Sequence, residues 1–258
     1  TITGLNTSTT YDFYVQADCG GGDVSAFSSV CSASTACDAI TTLPFTENFD
    51  TYGTGESAYP NCWFKINTYS ANRPYVNSTH YAGTASLYFF TGSASTYNIA
   101  VTPEFDASIN ISNLQAVFMY RANSSTDRLI VGVMTNPMDA NTFVPVETIS
   151  PASTASQWVE KTVYFNNYTG TGHYIAFKNA YTSTSSYAYI DNLEIGNVPT
   201  CLKPTNVTTS NPTTTSINLS WTENNTASNW VVEYGPSGFT QGAGSTVQVQ
   251  GTPSTTIT

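Results

Sequence analysis

The sequence is poor in charged residues, and poorest in positive charge. Charged residues make up 9% of the 258 residues, and seven Lys and Arg residues stand against 17 Asp and Glu residues, so the formal net charge is −10. Such a surface repels phosphate groups, which argues against nucleic acids and anionic membranes as partners. The apolar runs are also short: the run at 129–134 falls far below the ~20 residues that a membrane-spanning helix needs.

Helix signals are scarce, and strand signals are abundant. Hydrophobic residues make up 40% of the chain and aromatic residues 13%, which is the composition of a folded protein. Runs of β-branched and aromatic residues alternate with clusters of Gly, Asn, Ser, Thr and Pro. Short strands with regular turn signals are typical of a β-sandwich or jelly roll. The predicted fold class is therefore all-β.

The two ends of the chain have the pattern of two parts of one sandwich. In the head, Leu5 is followed six residues later by Tyr11, which is typical of a tyrosine corner, where the phenol bonds to the backbone upstream. In the tail, Leu219 and Trp221 lie on one alternating strand and a second strand follows at 230–234.

The chain also starts and ends with the same three residues, Thr-Ile-Thr. When the last three residues are overlaid on the first three, the joined sequence reads as a polar turn followed by a strand-like alternation. This overlap predicts that the chain is one unit of an array with a period near 255 residues. We therefore expect neighbouring copies of the same protein to be partners, with the tail of one copy meeting the head of the next.

Several motifs carry a resemblance to known families. The tail and head resemble a fibronectin type III domain divided between the two ends. The middle resembles the MAM-like, cleaved-adhesin jelly rolls that alternate with fibronectin modules in large bacterial surface proteins secreted by the type IX route. Its motifs, in order, are LPFTENFD (43–50), PNCWF (60–64), VTPEFD (101–106), YIAFKN (174–179) and YIDNLEIG (189–196). The resemblance implies three parts: the end of one fibronectin-like domain (1–36), a MAM-like jelly roll (37–200) and the start of the next fibronectin-like domain (201–258).

The five cysteines lack the C-x-x-C spacing of a zinc site. Disulfides in an oxidising compartment are the better interpretation. Cys37 lies just before the first jelly-roll strand and Cys62 just before the next, so we predict that these two form a disulfide. Cys19 could pair with Cys31, or Cys19 and Cys201 could share a sandwich formed across copies; the sequence leaves both open. The odd number leaves at least one thiol unpaired within a single chain.

Two carboxylates occupy strand positions whose neighbours on the same face are apolar. Glu47 lies two residues after Phe45, and Asp191 lies two residues before Leu193, so in a regular strand each pair shares one face. Ile190, on the other face from Asp191, indicates a local bulge. A buried carboxylate needs a cation or several hydrogen-bond donors. Protein cations are few here, and calcium accepts carboxylate and carbonyl oxygens.

The resemblance implies a calcium ion where the first and last strands of the jelly roll meet. The matching positions are Glu47 and Asp191, with Asp50 and Asn48 as further candidates. This calcium would be structural. The alternative is that the carboxylates accept hydrogen bonds from backbone N–H groups of a turn and hold no metal.

The sequence offers little for catalysis. A Ser or Cys nucleophile needs a base within hydrogen-bond reach, and the two histidines, His80 and His173, lie in turn-like segments. A glycosidase needs two carboxylates flanking its substrate, and Glu47 and Asp191 are better explained as structural. We therefore predict no enzymatic activity.

Two non-enzymatic functions remain. The first is a repeat unit of a large extracellular, cell-surface adhesin or filament that serves spacing and adhesion. The alternative is a carbohydrate-binding accessory module of a secreted hydrolase or protease, with surface glycans as partners. Aromatic contacts to sugar would come from Tyr69, Tyr75 and Tyr81 in the segment 67–81, followed by the segment 181–187, unless these tyrosines pack on neighbouring loops.

Overall fold

The computed structural model describes residues 1–69, 71–93, 95–151, 156–180 and 185–258. The chain forms two compact units, Thr1–Val198 (unit 1) and Pro199–Thr258 (unit 2). Both units are built from antiparallel strands, so the all-β prediction is confirmed. The predicted boundaries after residues 36 and 200, and the fibronectin and MAM-like resemblances, stay predictions.

The strands of unit 1 in the described residues are, in chain order, β1 (Thr10–Phe13), β2 (Asp18–Gly20), β3 (Asp23–Val24), β4 (Cys31–Ser34), β5 (Phe45–Glu47), β6 (Phe64–Asn67), β7 (Tyr75–Asn77), β8 (Ser86–Thr91), β9 (Tyr97–Val101), β10 (Leu114–Arg121), β11 (Leu129–Met134), β12 (Val144–Ile149), β13 (Val159–Tyr164), β14 (Tyr174–Ala180) and β15 (Ser186–Asn197). Short 3₁₀ helices precede β10 and β12, at Ile111–Asn113 and Ala140–Thr142. No helix of the described residues has the length and apolarity to cross a membrane.

Two sheets make the sandwich of unit 1. The six-stranded sheet has the order β13-β10-β15-β8-β7, with β5 also paired to β15, and the five-stranded sheet has the order β12-β11-β14-β9-β6. In β10 alternate residues are buried, which is the period expected of a strand with one face on the core. Phe118 of β10 and Phe177 of β14 meet edge to face, with ring centroids 5.5 Å apart. The core therefore lies between the two sheets.

Strand β15 carries a bulge that changes which residues face the core. Ile190 belongs to the core before it and Leu193 after it, and the register against β10 shifts between Val117 and Met119. Asn192 has a φ of 47°, a left-handed backbone typical of such a bulge. Asp191 thus lies on the side of the strand opposite to Leu193, and the sequence signal for a bulge was correct.

The head of unit 1 is a pair of small antiparallel ribbons, β1 with β4 and β2 with β3. The Tyr11 hydroxyl accepts a hydrogen bond from the Asn6 N–H at 2.8 Å, so the predicted tyrosine-corner bond is confirmed. Five large apolar side chains of the head are more than half exposed: Ile2, Tyr14, Val15, Val24 and Phe27.

The predicted disulfide between Cys37 and Cys62 is present, with the two Cα atoms 5.7 Å apart. It joins the end of the head to the segment before β6. Cys19, Cys31 and Cys201 are exposed free thiols. The bridge therefore ties the entry of the sandwich to its second strand, as the cysteine positions predicted.

Unit 2 contains β16 (Thr205–Ser210), β17 (Ile217–Thr222), β18 (Asn229–Tyr234), β19 (Ser245–Gln250) and β20 (Ser254–Ile257). They form a three-stranded sheet, β16-β17-β20, and a two-stranded sheet, β18-β19. The buried core is small: Trp221 and Trp230 meet at 5.5 Å, and Val249 packs with them.

Candidate functional site

A row of aromatic rings crosses the outer face of the six-stranded sheet of unit 1. Tyr75 of β7 pairs with Tyr88 of β8, Tyr88 pairs with Tyr189 of β15, and Tyr189 pairs with Arg121 of β10. Residues paired across strands share a face. The ring centroids of Tyr75 and Tyr88 are 5.2 Å apart, and those of Tyr88 and Tyr189 are 4.8 Å apart. Four adjacent strands thus contribute to one continuous row.

A second row lies beside the first. Phe90 of β8 pairs with Tyr187 of β15, and their rings are 4.7 Å apart. Tyr69, from the loop after β6, meets Phe90 edge to face at 5.3 Å. All three rings are half-buried, so each retains surface that a ligand could touch.

Two more rings extend the face at its other end. Trp158, just before β13, lies 6.3 Å from Tyr189 and 6.1 Å from Tyr81. The Tyr81 side chain is 51% exposed. We call the eight rings together the aromatic face, and its members are Tyr69, Tyr75, Tyr81, Tyr88, Phe90, Trp158, Tyr187 and Tyr189.

The structure therefore brings the three tyrosines named from the sequence, Tyr69, Tyr75 and Tyr81, onto one face. The ligand they would bind stays a prediction. Sequence reasoning missed Tyr88 and Tyr189, although the alternation of aromatic with core residues in β8 and β15 was a signal that could have found them. Of the second candidate segment, residues 181–184 lie outside the described residues.

Two arginines lie on the aromatic face. The Arg73 guanidinium carbon is 4.5 Å from the Tyr75 ring centroid and 5.5 Å from that of Tyr88. Arg73 also pairs with Glu56, with Nη1 2.8 Å from Oε1. The Arg121 guanidinium carbon is 5.4 Å from the Tyr189 ring centroid. Cations at these distances are attracted by the ring faces, which orders both arginines on the aromatic surface.

Two carboxylates hold the loop that carries Tyr81. Asp191 Oδ2 accepts hydrogen bonds from the N–H groups of Tyr81 and Ala82, at 2.7 and 3.2 Å. Asp50 Oδ1 accepts from the N–H groups of Thr84 and Ala85, at 2.6 and 3.0 Å. The loop at 81–85 is therefore fixed by four backbone hydrogen bonds to two acidic side chains.

The two carboxylates differ in electrostatic environment. Burial raises the pKa of Asp191, whose side chain is fully buried, and the nearby charge of Asp50 adds to this rise. Asp50 has a lowered pKa, first because it accepts the hydrogen bond of the Thr84 N–H. A raised carboxyl pKa opposes ionisation in the folded state, and a lowered one favours it.

Gly83 is required between these two anchor points. Its φ is +67°, and a Cβ placed on it would lie 2.0 Å from Asp50 Oδ2. Any side chain would therefore displace the Asp50 carboxylate and strain the backbone at the same time.

Glu47 lies in a different environment from Asp191. Its Oε1 accepts from the Phe49 N–H at 2.8 Å, and its Oε2 accepts from the Tyr52 hydroxyl at 2.7 Å. Burial first, and then the bond to Glu47, raise the pKa of Tyr52 to about 12. Glu47 and Asn48 line a depression of about 510 Å³ to which Asp191 does not contribute.

These contacts bear on the predicted calcium ion. Among the described residues, no group of three or more His, Cys, Asp or Glu side chains is arranged to hold a metal ion. The carboxylates of Glu47, Asp50 and Asp191 instead accept hydrogen bonds from N–H or O–H groups. Calcium therefore stays a prediction, and thermal melting with and without chelator tests it.

No protein-family model matches the chain, and no curated protein matches it. Similar solved structures include the K2 cleaved adhesin domain of Lys-gingipain, with 18% identity, a TM-score of 0.46 and coverage of 59% of this chain and 98% of that domain. The K1 cleaved adhesin domain of Lys-gingipain from Porphyromonas gingivalis has 17% identity and a TM-score of 0.44, covering 61% of this chain and 100% of that one. The family 11 carbohydrate-binding module of a cellulosomal cellulase from Clostridium thermocellum has 16% identity and a TM-score of 0.38, covering 60% and 95%. These identities and TM-scores are low, so a function can be inferred only from the geometry of the chain itself.

Proposed function

We propose that this chain is a non-catalytic binding module of an extracellular adhesin and that its aromatic face binds carbohydrate. The observation that carries the proposal is the aromatic face itself: eight rings and two arginines on one side of one sheet. Rings of this kind stack on the apolar faces of sugar rings, while hydroxyl and guanidinium groups supply hydrogen bonds to sugar hydroxyls.

The polar edges of the face support this ligand class. Tyr75, Tyr81 and Tyr187 each combine an apolar ring with a hydroxyl that can donate or accept a hydrogen bond. A ligand site needs apolar contact area together with a few polar groups that set orientation. Sugars match that mixture, because each ring has apolar C–H faces and a polar rim.

An extracellular location agrees with the cysteine chemistry. The Cys37–Cys62 bridge is of the kind that persists in oxidising compartments. Secretion by the type IX route is part of the proposal and comes from the sequence resemblance.

The experiment is glycan-array binding by the whole chain, followed by calorimetry with the best oligosaccharide. Trp158→Ala should lower affinity about tenfold, because it removes both an aromatic contact worth ~1 kcal/mol and the apolar area that the ring buries against the sugar. Tyr164→Ala is the matched control, since Tyr164 is 37% exposed at the end of β13, opposite Gln115 of β10, and is not one of the eight rings. Absence of binding to every glycan, or equal losses in both variants, would refute the proposal.

We further propose that the chain serves as a spacing unit whose partners are copies of itself. In unit 2, an apolar groove of about 340 Å³ is lined by residues that include Leu219, Trp221 and Trp230. Within unit 2, all of which is described, β18 pairs with β19 alone, so its other edge is unpaired. Unpaired strand edges beside apolar surface favour association with another strand. The exposed apolar side chains of the head are the complementary surface that a second copy would supply.

Sedimentation of the chain over a range of concentrations tests this second proposal. We expect head-to-tail oligomers at high concentration, and Val231→Asp on β18, where Val231 is 61% exposed, should abolish them. Val144→Asp, at a 47% exposed valine of unit 1, is the control. A monomer at all concentrations would refute the spacing role without affecting glycan binding.

A further inference from the structure

We infer that the glycan bound by the aromatic face is acidic and that Arg121 contacts its anionic group, a carboxylate or a sulfate. This inference rests on the proposed carbohydrate-binding function and adds the ligand's charge. It follows from how Arg121 differs from the other two arginines of the chain, Arg73 and Arg128.

Arg121 is a half-buried cation for which the described residues provide no acidic partner. Its Nε atom is buried and has no hydrogen-bond partner among the described residues. Its guanidinium lies over the Tyr189 ring, and within the described chain it forms no ion pair with any carboxylate. Arg73, at the other end of the same row, also has a buried Nε without a partner among the described residues, but its Nη1 is paired with Glu56.

Arg128 and Lys65 have protein acceptors. Arg128 Nη1 donates to the carbonyl oxygens of Ser125 and Asp127, both at 2.7 Å. The Lys65 ammonium donates to Asn72 Oδ1 at 2.8 Å. Arg121 thus keeps hydrogen-bond donors that no described side chain uses.

This arrangement is unexpected for a chain with 17 acidic and seven basic residues. Partly burying a charge costs free energy unless a partner compensates it, and acidic partners are plentiful in this sequence. The planar guanidinium matches a carboxylate or sulfate with two parallel hydrogen bonds. An anionic group of the ligand, set above Tyr189, would supply the missing partner.

The net charge of the chain does not oppose this contact. Repulsion between exposed charges is largely screened beyond ~8 Å at physiological ionic strength. A ligand bound to the aromatic face would meet Arg121 at hydrogen-bond distance, where the attraction between the guanidinium and the anionic group exceeds the screened repulsion from distant carboxylates. We therefore expect acidic ligands to bind more tightly than neutral ones.

The test is calorimetry at physiological salt with three matched probes: a galactose trimer, a galacturonic acid trimer and a sulfated galactose trimer. The intact chain should bind one or both acidic trimers about tenfold more tightly than the neutral one, which is the order of effect of a hydrogen bond to a charged group. Arg121→Gln should remove that preference, because it lowers affinity for the acidic trimers about tenfold and affinity for the neutral trimer much less. Comparison of the two acidic probes separates a carboxylate from a sulfate ligand.

Lys178→Gln is the matched control. Lys178 also lies over an aromatic ring, 4.5 Å from the Tyr97 centroid, but on the five-stranded sheet; its removal should leave the preference intact. Arg121→Lys should restore part of it, because lysine keeps the charge and loses the two-point geometry. Circular dichroism and melting of each variant confirm folding.

The outcomes separate the two claims. Equal affinity for neutral and acidic trimers, or equal loss of both in Arg121→Gln, would overturn the acidic ligand while leaving carbohydrate binding in place. Failure of the intact chain to bind any oligosaccharide would overturn the proposed function and this inference together.

Discussion

The two outer faces of the unit 1 sandwich are both rich in apolar side chains, yet they differ in what covers them. On the five-stranded sheet, Ile99, Val101, Met134 and Ala176 are fully buried. Phe143, beside the second 3₁₀ helix, and other side chains of the same chain pack over them. This face is completed within the fold.

On the six-stranded sheet, the outer apolar groups include the rings of the aromatic face, and their coverage is partial. Tyr88 and Tyr189 are each 8% exposed in the middle of the row, but Tyr81 is 51% exposed at its end. Within the described part of the chain, Arg73 and Arg121 lie over the rings. The outer face of the five-stranded sheet therefore serves stability, because other side chains of the chain cover it. The outer face of the six-stranded sheet is suited to recognition, because rings and cations remain at its surface.

The largest expected effect comes from Asp191→Ala. This change removes the buried acceptor of the Tyr81, Ala82 and Asn192 N–H groups. We expect a loss of about 3 kcal/mol in the free energy of unfolding, the order of a hydrogen bond to a charged group. Urea denaturation measures it, and Asp139→Asn, at an exposed turn carboxylate, should change stability far less. An unchanged denaturation midpoint would show that the hydrogen bonds accepted by Asp191 do not stabilise the fold.

The second effect comes from Gly83→Ala. The added Cβ would displace Asp50 and force a left-handed alanine, so we expect a loss of about 2 kcal/mol. Gly53→Ala is the matched control, because Gly53 has a φ of +70° with open space around its Cβ, and it should cost only about 1 kcal/mol. Equal losses would mean that the Asp50 contact contributes nothing.

The third effect separates the two faces directly. Tyr75 and Tyr97 each have a cation 4.5 Å from the ring centroid, Arg73 and Lys178 respectively, on opposite faces. Tyr75→Ala should lower glycan affinity about tenfold, whereas Tyr97→Ala should lower stability and leave affinity unchanged. Titration calorimetry and melting on the same samples provide both values. Equal effects on affinity would remove the functional difference between the faces.

The smallest effect is in the pH dependence of stability. The folded-state pKa of Asp50 lies below its ordinary value of 3.8. Its ionised form therefore stabilises the folded state above pH 3.8, and this contribution is lost as pH falls from 3.8 through the lowered folded pKa. The stability difference between the intact chain and Asp50→Asn should shrink in that window. A difference that stays constant with pH would show that the Thr84 and Ala85 bonds do not favour the ionised carboxylate.

Much of the fold was predictable, because strand alternation and turn residues are local signals. The all-β class, the bridge of Cys37 with Cys62 and the Tyr11 corner bond all follow from short stretches of sequence. The full aromatic face was not, since Tyr88, Tyr189 and Trp158 are far apart along the chain and meet only through strand pairing.

The sequence by itself determined the fold class, the scarcity of cations and the segment that holds Tyr69, Tyr75 and Tyr81, because period, composition and spacing are local properties. Only the tertiary structure decided on which side of the sheet each ring and carboxylate lies. The bulge beside Asp191 reverses the alternation within one strand, and the pairing register sets Arg121 beside Tyr189. Both depend on hydrogen bonds between distant segments, and a one-residue change in register would exchange the inner and outer faces.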